Sequence, residues 1–167
     1  MTPNSKAIVT LCSHLCVGEN VKPYEPAEWA ILAELLMNQN IEPNSVLAFS
    51  ADDFKSKLNF TNVEIERMNR LIDRGGSIAF EIQRYADMGI NIMTRADTFY
   101  PILLKNKLGK SCPPIFYYAG NPNLTKKRCI GFVGSRNVGL DDEDFTVKTV
   151  KKCNSKDFLL SQAGQKV

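Results

Sequence analysis

The stretch Cys129-Ile130-Gly131-Phe132-Val133-Gly134-Ser135-Arg136-Asn137-Val138-Gly139 decides how this chain is read. Cys129 to Val133 form a short continuous apolar run, the pattern of a strand buried on both faces of a parallel sheet. The run ends in a glycine turn. From Asp141 to Cys153 the pattern turns amphipathic, with Phe145, Val147 and Val150 apolar, and Phe158-Leu159-Leu160 offers a further strand. Strand, glycine turn, helix and strand in that order are the opening of a doubly wound α/β domain. The fold class expected is therefore α/β.

The turn matches neither the dinucleotide fingerprint G-x-G-x-x-G nor a P-loop, which would need a lysine after its second glycine. A glycine at the C-terminal end of a strand nevertheless lets the backbone approach an anion, and Ser135 and Arg136 are suitable donors to phosphate oxygens. The competing reading is a tight strand-to-helix turn with Arg136 solvated. Spacing alone leaves both open.

Upstream of this stretch, Ile90 to Met93 is β-prone, a helix is expected from Pro101 to Leu108, and Ile115 to Tyr118 form a strand closed by Gly120-Asn121-Pro122. Before Gly89 the texture is helical. Pro3 opens a first helix and Pro26 a second, in which Trp29 stands among Ile31, Leu32, Leu35 and Leu36 as a core anchor. Ser50 with Asp53, and Thr61 with Glu64, have the spacing of capping boxes, Gly75-Gly76 separates two further helices, and Gly89 is a C-terminal stop. The expected organisation is a helical domain over residues 1–89 and the first part of a parallel α/β domain over residues 90–167.

Charge divides the chain at the same place. Residues 1–89 hold 8 Lys and Arg against 12 Asp and Glu, whereas residues 90–167 hold 13 against 6, so a net charge of +3 conceals halves of −4 and +7. A basic half suits a polyanion such as nucleic acid; solvated faces with an accidental asymmetry are the alternative. With 44% hydrophobic and 23% charged residues the composition is globular, and no window approaches an apolar membrane span or a secretory leader. A cytoplasmic protein with no membrane partner is expected. Five irregularly spaced cysteines give no disulfide framework and read as reduced thiols.

Three groups of residues, in this order and spacing, resemble the DNA-processing protein A family (DprA/Smf). They are Thr94-Arg95-Ala96-Asp97 with Tyr100-Pro101 and Leu103-Leu104; Pro113-Pro114-Ile115-Phe116-Tyr117-Tyr118-Ala119-Gly120-Asn121; and Gly131-Phe132-Val133-Gly134-Ser135-Arg136. The acidic helical segment, with Cys12-Ser13-His14-Leu15-Cys16-Val17-Gly18, resembles the sterile-alpha-motif-like domain at the N-terminus of that family. The resemblance implies an extended Rossmann-like domain that binds single-stranded DNA without catalysis, cofactor or metal and loads a RecA-type recombinase in natural transformation (competence). Gly134, Ser135 and Arg136 match the family's phosphate-contacting turn. Lys126, Lys127 and Arg128 are added on electrostatic grounds as its flanking surface. The family continues with a glycine-rich S-G-G-A-x-G-x-D segment where this chain reads Ser161-Gln162-Ala163-Gly164. The expectation is a truncated relative whose uncovered strands promote self-association. Two other functions stand beside this one: a nucleotide-binding Rossmann-like enzyme fragment, and a protein-interaction fragment using only the helical domain.

The remaining constellations read as structure. On a continuous helix Cys12 and Cys16 would share a face with His14 opposite, a poor arrangement for zinc, and the single histidine has no triad partners. Asp141, Asp142, Glu143 and Asp144 at a helix start are partners of its dipole before they are a metal site. Tyr117 and Tyr118 alternate across a strand, so at most one is placed to stack on a base, and packing of both is expected.

Overall fold

The computed structural model describes residues 1–18, 21–134, 139–156 and 158–162, and its fold class is mixed α/β. It divides into two compact units, Met1–Gly120 and Asn121–Val167.

The first unit begins with five helices whose starts are dictated locally. Thr2 caps α1 (Pro3–Cys12) by accepting from the Ser5 N–H, and Pro3 occupies a position where its missing N–H costs nothing. At α2 (Pro26–Asn38) the Glu28 carboxylate reaches back to the Glu25 N–H. The capping boxes expected at Ser50/Asp53 and Thr61/Glu64 open α3 (Ala51–Leu58) and α4 (Asn62–Asp73). Gly75 starts α5 (Gly75–Asp87), and Gly89 follows its end with a left-handed φ of 76°. A 3-10 helix over Pro43–Ala48, which the sequence pattern does not announce, inserts Val46 into the core. That core also contains Leu11, Trp29, Leu36, Phe54, Met68 and Leu71, with Phe54 between the rings of Phe49 and Phe60.

One buried cation ties these helices together. Arg74, 8% exposed between α4 and α5, donates through Nη2 to the Thr10 carbonyl (2.6 Å) and through Nη1 to those of Leu15 (2.9 Å) and Ser13 (3.2 Å). Thr10 and Ser13 lie at the C-terminal end of α1, where backbone carbonyls lack helical partners and the helix dipole favours a positive charge, and Leu15 lies in the turn that follows. Burial lowers the Arg74 pKa from its ordinary value, yet an arginine remains charged throughout the physiological range.

The antiparallel pair β1 (Asn91–Thr94) and β2 (Ile115–Tyr118), with α6 (Ile102–Leu108) between them in sequence, completes this unit. Ile92 and Ile115 pack into the helical clusters, while Met93, Phe116 and Tyr118 gather with Tyr100, Cys112 and Leu104. Period-two alternation thus gives a small sheet two packed faces. The Thr94-Arg95-Ala96-Asp97 segment is a closed turn: the Thr94 N–H (2.7 Å) and Oγ1 (2.9 Å) donate to Asp97 Oδ2, and Ser5 of α1 donates to Oδ1 (2.7 Å). The expected division at Gly89 therefore falls inside the first unit, because the sheet following it buries its apolar residues against the helices preceding it.

The second unit is built from β3 (Cys129–Phe132), α7 (Leu140–Asn154) and β4 (Leu159–Gln162). The two strands are parallel, with Cys129 opposite Leu159 and Phe132 opposite Gln162, and α7 packs against β4. Strand β3 is not buried on both faces as its apolar run suggested: Cys129 and Gly131 are exposed and Ile130 and Phe132 half-buried. One helix on a two-stranded sheet covers only part of it, and Val133, Leu140 and Phe145 also face solvent.

Replacing Arg74 with Met should cost about 3 kcal/mol of stability, since buried carbonyls stripped of a donor each lose about 1–3 kcal/mol before relaxation. Urea unfolding followed by Trp29 fluorescence measures it, and Arg74→Lys, which keeps charge but not the fork, should recover only part.

Candidate nucleic-acid interface

The site begins where β3 ends. Gly134 is exposed, and among the described residues a Cβ built on it would meet nothing within 4 Å, which suits close approach of a ligand to the backbone. Ser135 and Arg136, the other two members of the expected phosphate turn, lie outside the described residues. Past them, Gly139 caps α7 and its N–H donates to Asp142 Oδ2 (3.2 Å).

The N-terminus of a helix following a parallel strand is ordinarily an anion site. Here the first turn of α7 is occupied by Asp141, Asp142 and Glu143, all exposed, with Asp144 next and ion-paired to Lys148. These carboxylates already satisfy the positive end of the dipole. A phosphate arriving at the same place meets like charge, so its attraction has to come from cationic donors in the turn. Arg136 is the only Lys or Arg from Cys129 to Val147.

Lys126, Lys127 and Arg128 do not flank this turn. Lys126 closes the 3-10 helix Pro122–Lys126, Lys127 follows it, and Arg128 immediately precedes β3, so all three stand at the start of the strand. Five residues lie between Arg128 and Gly134, six steps of extended chain or about 20 Å at roughly 3.3 Å per step. All three are exposed. The Arg128 guanidinium lies 4.3 Å from the centroid of the Phe158 ring, just before β4. In the sequence Phe158 reads only as a strand residue; its position beside Arg128 follows from strand register, which no local pattern reveals.

The other expectations resolve at single residues. Helix α1 stops at Cys12 and Ser13 caps it, so the helical face assumed for Cys12, His14 and Cys16 does not exist; Cys16 has a φ of 53° and is exposed. Cys12 is buried, and burial holds its thiol far above the ordinary range. The five cysteines are unpaired. Tyr118 packs inward, whereas Tyr117 is 45% exposed and lies against Tyr85, so the expected packing of both holds for one. Trp29, 2% exposed, is the core anchor expected. Among the described residues no helix is long and apolar enough to cross a membrane.

Comparison with known proteins returned no match among curated proteins or solved structures. Helices α1 to α5 lie outside the segment that the family model matches. That segment runs from the start of β1 into β4 and so contains the Thr94–Asp97 turn, the β2 strand and the whole β3–turn–α7 passage: residues 91–161 match the family of DNA recombination-mediator protein A.

Proposed function

We propose that the chain binds single-stranded DNA through its second unit and acts, without catalysing a reaction, as a cytoplasmic recombination mediator that passes the strand to a RecA-type recombinase. The observation carrying this reading is the family match over residues 91–161, which spans the strand, glycine turn and helix of the second unit. Chemistry supports it from a second direction. Gly134 offers open backbone at the C-terminal end of a parallel strand, and the two residues after it in sequence bring a hydroxyl and a guanidinium. Phosphate contacts of this kind attract any sequence equally, which suits a protein that must coat strands of arbitrary composition.

Arg136→Ala should weaken binding of a fluorescein-labelled oligonucleotide by about 1.5–3 kcal/mol, the range for hydrogen bonds to a charged group. The loss should be the same for different base sequences, and anisotropy titration at low salt measures it; equal affinity of the two proteins removes Arg136 from the site. Arg136→Lys should rescue part of the loss, because the charge returns without the planar fork.

The acids of α7 give a signature of opposite sign. Asp141→Asn combined with Glu143→Gln, leaving the Asp142 cap in place, should tighten binding at low salt. Two charges roughly 8–10 Å from a phosphate in water each contribute about 0.5 kcal/mol of repulsion, so a three- to fivefold gain is expected, vanishing as salt screens it.

A further inference from the structure

We propose that the end of the second unit opposite the Gly134 turn is a separate contact surface for single-stranded nucleic acid, centred on Arg128 and Phe158. The placement comes from topology. Parallel strands must be joined by a crossover, so α7 starts at the end of β3 and delivers its C-terminus to the start of β4, beside the start of β3. Lys151 and Lys152 in its last turn, and Lys156 just beyond, are exposed and arrive at the same end as Lys126, Lys127 and Arg128. Six cations from two separate stretches of chain meet there. The segments 121–134 and 145–162 contain one carboxylate, Asp157, which lies outside the described residues.

Compensation of the helix dipole explains Lys151 and Lys152 but not the second stretch, which belongs to another element. Phe158 gives the patch a form as well as a charge. Its half-buried ring lies 4.3 Å from the guanidinium of the exposed Arg128, a contact that holds the cation in place at the surface. A flat guanidinium backed by an aromatic ring is a platform on which an unpaired base stacks, while the neighbouring lysines take the phosphates on either side. Duplex DNA keeps its bases in their own stack, and an anionic lipid surface engages lysine and arginine alike. Single strands alone use both features. This surface is about 20 Å from the Gly134 turn along β3, and it stands whether or not that turn binds phosphate.

The test uses the full chain and a fluorescein-labelled oligo-dT in anisotropy titrations over a salt series, with circular dichroism checking that the exposed substitutions leave the fold intact. Lys151→Gln with Lys152→Gln should weaken binding and flatten the slope of log affinity against log salt by about 1.4, two phosphate contacts at roughly 0.7 each. Arg128→Lys should lower affinity about fivefold or more with the slope unchanged, the mark of lost stacking. Unchanged affinity and slope in all these variants would overturn the proposal, even if Arg136→Ala weakens binding and the phosphate turn stands. Loss in these variants with Arg136→Ala silent supports this surface and removes the turn. Equal competition by phosphatidylserine vesicles, with Arg128→Lys indistinguishable from the parent, points to a membrane surface and also overturns it.

Discussion

The second unit follows from one constraint: parallel strands cannot be joined by a hairpin. Because β3 and β4 run the same way, the chain has to return along α7 before the second strand can begin. That return decides where every charge on the helix goes. Asp141, Asp142 and Glu143 open α7 and so stand near the exit of β3; Lys151 and Lys152 close it and so stand near the entrance. A helix whose acids and bases are ordered to suit its own dipole becomes, inside a crossover, a device that polarises the whole unit from end to end.

The first unit rests on a different economy. Its helices are short, and a short helix leaves a large share of its backbone groups unpaired at the ends. Side chains supply the partners: Ser50, Thr61 and Glu28 at the N-termini, and the Arg74 guanidinium at the carbonyl end of α1. The same helix α1 then reaches the sheet through the Ser5–Asp97 hydrogen bond. A single element is thus clamped at one end by Arg74 and at the other by the Thr94–Asp97 turn. The buried apolar residues of β1 and β2 belong with the helices for that reason.

What the sequence revealed follows the range of the interactions concerned. Capping boxes, the Gly89 stop, the Trp29 anchor, the strand from Cys129 and the helix ending near Cys153 are written in neighbouring residues, and they are found where the pattern places them. Arg74 carries no such signal, because its acceptors on and after α1 are about sixty positions away in the chain. The attachment of β1 and β2 to the helices depends on Ile92 and Ile115 meeting residues from α1 and α5, again a matter of tertiary contact. At the candidate site, charge content was legible but its arrangement was not. Lys126, Lys127 and Arg128 are close to Gly134 in number, yet an extended strand of four residues carries them to the other end. The Arg128–Phe158 platform needed the pairing of Cys129 with Leu159, which periodicity cannot express.

The central claim is that nucleic acid is held by the two ends of the second unit and not by the helices of the first. An amide chemical-shift titration of the full chain with oligo-dT tests it most directly. The account predicts progressive shifts in residues 126–134 and 151–158 with those of α2 to α5 unmoved. Shifts confined to the helices of the first unit, or none at all at saturating oligonucleotide, would contradict it.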